Sequence, residues 1–443
     1  MIGTGIFLKT RVMMCNVETP GLVIAAWVAA GLLSLAGALT YSELAAMMPR
    51  AGGEYVFIRE GYGRRLAFLY GWTQLAVVFT ASQAAKGVGF AIFFNDLAGG
   101  SLDRTFFTLR LLDYPVSFGP IKAIALAIII LTTLVNFLAV SVSGRISVLL
   151  TVLKILIVAA VGASGFVLAQ GSWAHFGMSG AVGACEGVAA TARGGMAGFG
   201  AAMVGALWAY DGWVNLTLVA GEVKNPQRNL PLALIGGILI VGSLYIFINF
   251  AYLYVLSPVE IASGAETSSV ATEVARRYLG PAAVGAIAMA MMISTLGSLH
   301  TGTLAGARIS YAMAGDGLFF RPLARVSANT HVPINALVVQ CIWACVLALS
   351  GSFDTLTNYV IFAAWIFYGL NTAAVFIFRR TMPDAERPYR TIGYPVLPAV
   401  FLLAAVWLFV NTLIATPREA VIGLGIIALG LPVYLYWSKQ TPA

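Results

Sequence analysis

Long apolar runs, separated by short stretches rich in charge, proline or glycine, follow one another along almost the whole chain. A run of about 17 residues or more is long enough to cross a bilayer as a helix. The pattern therefore predicts eleven membrane-spanning helices, at Leu22–Met47, Leu66–Phe94, Ile121–Val142, Ile146–Leu168, Phe199–Ala220, Leu232–Leu256, Ala282–Ala312, Ile334–Ser350, Leu356–Phe378, Tyr394–Ile414 and Ala420–Trp437.

An incomplete span precedes these eleven. Met1–Leu8 is apolar but too short to cross a membrane, and we interpret it as the outer half of a first helix. Half a helix would leave backbone groups unsatisfied in lipid, so we expect further residues upstream of Met1 in the native protein. Counted in this way the chain has twelve helices, and Phe199–Ala220 is the sixth.

Composition and charge bear on the class of protein and on its orientation. Of the 443 residues, 60% are hydrophobic and only 10% are charged, whereas soluble domains carry about 25% charged residues. We therefore predict a polytopic membrane protein, and the net charge of +8 gives no reason to expect nucleic acid. With the loop after Leu22–Met47 inside, most loop cations fall inside, although Lys9 and Arg11 fall outside. The bias predicts a cytoplasmic C-terminus, and the short loops suit a bacterial inner membrane.

Two of the twelve helices contain residues that interrupt a helix. Asp211 and Gly212 lie in the middle of the sixth span, and both are poor helix formers. A break there exposes carbonyl groups to an ammonium group, while Trp208 supplies a flat lid. The Gly3-Thr4-Gly5 stretch predicts a second opening, whose free N–H groups suit a carboxylate. Together the breaks predict a site for a small zwitterion, formed by Ile2, Gly3, Thr4, Gly5, Ile6, Trp208, Ala209, Tyr210 and Asp211.

Each of these features also has a purely structural interpretation. The two glycines would let helices pack closely, Trp208 would contact lipid, and Asp211 would bond to the broken backbone. The breaks lie five spans apart, however, which is the spacing expected of two inverted repeats of five helices. We therefore predict one transmembrane domain over residues 1–443, with repeats at about 1–169 and 198–378 and two more helices at about 393–437.

Charged residues inside or beside the spans are candidates for gating and coupling. Lys154 lies near the middle of Ile146–Leu168, where its side chain cannot easily reach an interface. Lys154 is either a structural partner of a nearby carbonyl or acid, or it takes part in gating or coupling. Lys86 lies in the outer third of its span and is expected to snorkel to the interface. Arg50 and Glu222 reach the predicted cytoplasmic face, where they either pair across an inner gate or lie solvated.

The four cysteines show neither a CxxC motif nor metal-ligand spacing, and no metal or cofactor is expected. Cys341 and Cys345 share one helix face within an apolar run and are expected to pack as small residues. Cys15 and Cys185 fall in loops on the same predicted side. A disulfide between them is one option, but we expect both to remain free.

Four motifs carry a resemblance to a known family. In chain order they are Gly3–Phe7 (GTGIF), Tyr41–Tyr55 (YSELA…PRAGGEY), Ala209–Pro226 (AYDGW…GEVKNP) and Ser294–Gly317 (STLGS…GARISYAMAGDG). The sequence resembles, over its whole length, the L-type amino acid transporters of the amino acid–polyamine–organocation (APC) superfamily.

This resemblance implies an all-α LeuT-type fold of twelve helices, the first and sixth discontinuous, with alternating access around them. It assigns the substrate carboxylate to N–H groups of the Gly3–Phe7 stretch and the α-amino group to carbonyls of Trp208–Asp211. It also implies that Trp208 acts as an outer gate.

The resemblance further interprets Lys154. Sodium-coupled proteins of this fold hold a cation between spans 1, 5 and 8, whereas sodium-independent members have a lysine on span 5. Lys154 would then donate to carbonyls of the first span and to a hydroxyl of the eighth, such as Ser294. In animals, family members join a glycoprotein through a cysteine between spans 3 and 4. Residues 96–120 contain no cysteine, so no disulfide-linked heavy chain is expected, while a homodimer is left open.

We therefore predict a sodium-independent exchanger of neutral L-amino acids, with basic ones as a further option because Asp211 could attract them. The first alternative is a proton-coupled amine or polyamine symporter of the same fold. The second is an intramembrane enzyme, which would need paired acids or a nucleophile with its base. The sequence offers only Asp211 at mid-span depth, with His175, His300 and His331 scattered.

Overall fold

Helices form nearly all the regular structure of this computed structural model, which describes all residues except 51, 112–113, 139, 181–184, 219, 331 and 439–443. A hairpin of two antiparallel strands, β1 Phe107–Leu111 and β2 Tyr114–Phe118, pairs Phe107 with Phe118. The helices are α1 Gly5–Val17, α2 Pro20–Met47, α3 Glu54–Tyr62, α4 Arg64–Thr73, α5 Phe79–Leu97, α6 Pro120–Val135, α7 Val140–Leu168, α8 Gly195–Tyr210, α9 Asn215–Leu218, α10 Pro226–Val255, α11 Pro258–Ser263, α12 Val270–Gly315, α13 Ile334–Ser350, α14 Phe353–Thr381, α15 Val396–Ala415, α16 Pro417–Ala428 and α17 Gly430–Ser438.

The apolar runs and the helices agree closely. Within the described residues, eight helical segments are long and apolar enough to cross a membrane, and three shorter apolar helices are α6, α8 and α13. Each of these eleven segments falls on one of the eleven predicted spans. The agreement follows because backbone polar groups in lipid must be satisfied within the segment itself, which a helix does.

The first helix extends further than predicted. α1 continues through Lys9 and Arg11, which the charge pattern had placed in an outer loop, and both side chains are buried, at 1% and 3% exposure. Each has partners inside the protein: Lys9 Nζ lies 2.5 Å from Asp354 Oδ1, and Arg11 donates to the carbonyls of Gly264 and Glu186. The loop assignment was therefore wrong for both residues, because partners distant in sequence allow these charges to be buried.

A disulfide joins Cys15 on α1 to Cys185, in the segment before α8. Their Cα atoms are 5.7 Å apart, a normal separation for such a bond. The expectation that both are free thiols was wrong, because the length of α1 carries Cys15 to the segment that holds Cys185. We call the end of the molecule with this bond the disulfide end, and the opposite end, where α3 begins, the α3 end.

α1 and α8 lie side by side and run in opposite directions. At the disulfide end, Gly194 N–H donates to Asn16 O at 2.8 Å, and at their other ends Gly5 lies against Ala209. Helices of 13 and 16 residues are about 20 and 24 Å long, shorter than the roughly 30 Å hydrocarbon core of a bilayer. The start of α1 and the end of α8 thus lie at the same level, where Gly5 meets Ala209.

Candidate functional site

α8 stops in the middle of its apolar run, at Tyr210. Asp211 follows with extended backbone (φ −57°, ψ 153°), and Gly212 has a φ of 96°, in the region that favours glycine. In the described chain, residues 212–214 donate no backbone hydrogen bond, and α9 begins only at Asn215. The helix is interrupted where the sequence predicted, and carbonyl groups at the end of α8 lack helical donors.

The start of α1 lies directly against this interruption. A Cβ atom built on Gly5 would lie 2.7 Å from Ala209 Cα and 2.9 Å from Trp208 Cδ1, so this approach requires glycine. The first N–H groups of α1, beside Thr4, have no acceptor in their own helix. The Thr4 hydroxyl is buried and has no hydrogen-bond partner among the described residues. The two predicted segments, one of donors and one of acceptors, thus meet at one point.

Aromatic residues hold the end of α8 in place. The Tyr245 hydroxyl of α10 donates to Ala209 O at 2.9 Å, and the Tyr210 hydroxyl donates to Trp27 O of α2 at 3.2 Å. The rings of Trp27, Tyr210 and Tyr245 pack together, with centroids 5.2 to 6.1 Å apart. Ala209 O, one of the predicted ammonium acceptors, therefore already holds one hydrogen bond and keeps a second lone pair.

Asp211 is held by α14. Its Oδ1 accepts a hydrogen bond from the Tyr368 hydroxyl at 2.7 Å, and the Tyr368 ring packs against Trp213 with centroids 5.8 Å apart. The hydrogen bond of Oδ1 thus comes from a side chain of α14 and not from its own backbone, the structural option, while ligand binding by Asp211 stays a prediction. The sequence contained no signal for Tyr368, because an aromatic residue in an apolar span is ordinary.

Lys154 contacts a different hydroxyl from the one predicted. Its Nζ lies 3.2 Å from Ser298 Oγ, which is also 3.3 Å from Ile2 O and 2.9 Å from Ser294 O. The Ser294 hydroxyl is buried, with no hydrogen-bond partner among the described residues. The partner of Lys154 is therefore Ser298, one helical turn after the predicted Ser294. Through Ser298, Lys154 links α7 and α12 to the segment before α1.

Lys86 points into the protein and does not snorkel. Its Nζ lies 5.9 Å from the centroid of the Trp208 ring. Every other residue of 76–93 is buried, while Lys86 alone in that range is half-buried. The prediction of an interfacial lysine was wrong, because a hydropathy pattern does not show which face of a span is turned to the interior.

Trp208, the predicted outer gate, begins a series of contacts that leads to the disulfide end. Its ring, 5% exposed, packs edge-on against Phe353 with centroids 6.1 Å apart. Lys9 Nζ lies 4.9 Å from the Phe353 centroid and also contacts Asp354 and the Thr357 hydroxyl, each at 2.5 Å. Trp208 therefore stands between the interruption of α8 and a buried ion pair.

A further acid lies beyond that ion pair, in the segment between α11 and α12. Burial raises the pKa of Glu266 above its usual range, and the nearby Asp354 carboxylate raises it further. The disulfide end thus combines the acids Glu266 and Asp354 with the cations Lys9 and Arg11.

At the α3 end, the predicted inner gate is described only in part. Arg50 is exposed and borders a cavity of about 310 Å³ with Tyr55, Arg59 and Asp316. The Glu222 side chain lies outside the described part of the structure, so an Arg50–Glu222 pair stays a prediction. The ion pair seen near this cavity joins Arg59 to Asp316 at 2.9 Å, and the Tyr55 hydroxyl donates to the same carboxylate at 2.8 Å.

Sequence reasoning also missed a buried acid. Glu54, at the start of α3, is 2% exposed and accepts hydrogen bonds from Tyr41 (2.9 Å), Tyr70 (3.0 Å) and Asn371 (3.1 Å). The two glycines before it, Gly52 and Gly53, are typical only of a turn. Among the described residues, no group of three or more His, Cys, Asp or Glu side chains could hold a metal ion.

Comparison with known proteins gives consistent matches. The chain is 31% identical over 445 residues to the serine/threonine exchanger SteT of Bacillus subtilis (strain 168), covering 99% of this chain and 94% of that protein. It is 30% identical over 423 residues to the b(0,+)-type amino acid transporter 1 of Mus musculus (94% and 80% covered). It is 27% identical over 446 residues to the human cystine/glutamate transporter (99% and 83% covered).

A protein-family model described as "Amino acid permease" matches residues 1–434. The match covers both segments of the site and every helix, except for the C-terminal end of α17. Together with the apolar helices, this match shows that the chain is an integral membrane protein and a transporter of amino acids, not an enzyme. The chain therefore belongs to the amino acid permease family, within the APC superfamily.

Proposed function

We propose that the protein is a sodium-independent exchanger of neutral L-amino acids that works by alternating access. The observation that carries the proposal is the meeting of α1 and α8 at Gly5 and Ala209. Free N–H groups at the start of a helix favour a carboxylate, and carbonyls freed at the end of another accept from an ammonium group. The two segments are thus suited to the two ends of a free amino acid. The SteT relative, named as an exchanger, supports exchange.

The position of Lys154 supports sodium independence. Its ammonium group reaches Ser298, whose Oγ is 3.3 Å from Ile2 O. A sodium ion held by the same carbonyl and hydroxyl oxygens would meet a like charge at close range. Lys154 therefore stands in place of a coupling cation.

The contacts of Asp211 favour neutral over basic substrates. Its carboxylate already accepts the Tyr368 hydroxyl at 2.7 Å, so less of it faces a ligand. Lys86 lies beside the Trp208 ring, and a basic side chain there would meet a like charge.

The proposal includes an architecture and an orientation. We place two inverted repeats of five helices at about 1–169 and 198–378, following the pairing of broken helices. The disulfide end would face the outside and the C-terminus the cytoplasm of a bacterial cell, as the loop cations favour. The Cys15–Cys185 bond supports this orientation, because disulfides persist in oxidising compartments.

Proton-coupled symport is the second candidate, and Glu54 is the observation in its favour. This carboxyl group is buried beneath the site and accepts hydrogen bonds from two tyrosines and an asparagine, and none of its partners in the described part of the chain is a cation. A buried carboxyl of this kind is able to exchange a proton during a transport cycle.

Counterflow in liposomes tests the proposal. We expect labelled serine to accumulate only in vesicles loaded with unlabelled amino acid, and equally in sodium and choline buffers. Uptake that instead requires an inward proton gradient would favour the symport mechanism.

The same assay tests the site through Gly5→Ala. The added methyl group would separate α1 from α8, and we expect uptake to fall at least about tenfold, as for other displaced binding geometries. Gly236→Ala on α10 is the matched control, because its new methyl group meets no atom within 4 Å. Normal uptake by Gly5→Ala would show that the substrate does not bind at this junction.

A further inference from the structure

Lys86 occupies an unusual place in α5. It is flanked on both sides by fully buried residues, from Ala76 to Ala85 and from Gly87 to Phe93, yet it is itself half-buried. A residue with exposed area in such a segment must face a space inside the protein. Its side chain therefore lines an internal opening rather than filling the core.

The neighbours of Lys86 locate this opening at the proposed site. Its Nζ lies over the Trp208 ring of α8, and a Cβ atom built on Gly302 of α12 would be 3.3 Å from it. Gly89, three residues later on the same face of α5, contacts the Thr4 side chain at the start of α1. The ammonium group of Lys86 is thus beside the end of α8, and the next turn of the same helix face packs against the start of α1.

Lys86 also differs from the other interior lysines in its partners. Lys9 pairs with Asp354, Lys122 donates to the carbonyls of Ala348 and Gly351, and Lys154 reaches Ser298. Within the described residues, the Nζ of Lys86 makes no hydrogen bond and no ion pair. The acid that acts on it electrostatically, Asp211, is already bonded to Tyr368. A charge in the membrane interior without a partner is costly and is commonly part of a functional site.

We propose that Lys86 binds the side chain of the substrate, so that the site accepts acidic L-amino acids and rejects lysine and arginine. This inference rests on the proposed function and extends its substrate class. The N–H groups at the start of α1 bind the α-carboxylate of the substrate. A second carboxylate, on the substrate side chain, pairs with the free ammonium of Lys86. A basic side chain would instead be repelled by Lys86 and by Lys154.

The ratio of glutamate to serine uptake tests this assignment in reconstituted protein. Hydrogen bonds to charged groups are stronger than those between neutral groups, so we expect Lys86→Met to lower the ratio about tenfold or more, mainly through the KM for glutamate. Lys86→Arg keeps the charge and is expected to retain the preference. Lys122→Met is the matched control: it also removes a buried ammonium, but from α6, and is expected to leave the ratio unchanged.

Three outcomes would overturn the assignment. The wild-type protein could take up serine but show no uptake of glutamate and no competition by it. Lys86→Met could lower serine and glutamate uptake equally, which would assign Lys86 to the α-carboxylate. Lys86→Arg could change the ratio as much as Lys86→Met does. Failure of the proposed function is distinct, because the wild-type protein would then take up no amino acid in counterflow.

Discussion

The α1–α8 pair is held very differently at the disulfide end and at the α3 end. At the disulfide end, α1 carries the Cys15–Cys185 bond and the buried Lys9–Asp354 pair. On the other side of the interruption, α9 has four residues, and among the described residues one backbone hydrogen bond, Gly52 N–H to Leu218 O at 3.2 Å, connects it to the loop before α3.

The comparison shows how burial changes the contribution that an ion pair is expected to make to stability. Breaking a buried ion pair costs about 3–5 kcal/mol, whereas an exposed pair contributes about 1 kcal/mol or less. Lys9 is 1% exposed, while Arg59 and Asp316 at the α3 end are 30% and 32% exposed. The Lys9–Asp354 pair is therefore expected to stabilise the fold more than the Arg59–Asp316 pair.

The largest expected effect is that of Lys9→Met. It leaves Asp354 without its cation, and we expect the free energy of unfolding to fall by about 3 kcal/mol, the low end of the range because Asp354 is partly exposed. Thermal unfolding in detergent measures the change. Adding Asp354→Leu should recover most of it, since no charge is then left unpaired. An unchanged unfolding temperature for Lys9→Met would remove the main difference between the two ends.

Removal of the disulfide ranks second. We expect Cys15→Ser with Cys185→Ser to cost about 2 kcal/mol, at the low end because helices in a membrane keep much of their structure when they separate. Comparing unfolding with and without reductant provides the measurement, and Cys341→Ser, which removes a free thiol, is the control. If reductant has no effect on the wild-type protein, noncovalent contacts alone hold α1 at this end.

The smallest effect is expected at the α3 end. Arg59→Met removes an ion pair that is open to solvent, so its cost should stay below about 1 kcal/mol and become smaller still in high salt. Unfolding at two salt concentrations tests this. A loss as large as that for Lys9→Met would show that burial does not separate the two ion pairs in strength.

The local sequence pattern was sufficient to predict the membrane spans and the main interruption. Apolar runs long enough to cross a membrane can satisfy their backbone only as helices, so all eleven fell on helical segments. The break at Asp211 and Gly212 was also readable, because the weak helix formers are the two residues themselves.

Contacts between distant segments could not be read in this way. The partners Lys9 and Asp354 are 345 residues apart, so nothing near Lys9 showed that its charge is matched. Lys154 reaches Ser298 rather than Ser294 because of the rotation of α7 and α12 about their axes. The local sequence does not determine that rotation. The direction of the Lys86 side chain was missed for the same reason, because the position of a residue along a helix does not show which face of the helix it is on.

The bond between Cys15 and Cys185 has a mechanical consequence for the cycle. It joins α1 to the segment that leads into α8, and Gly194 N–H adds a hydrogen bond to Asn16 O beside it. In the proposed alternating-access cycle, the two helices would therefore move together at that end. The parts that would hold the two ends of an amino acid would then keep their spacing while the access to them changes.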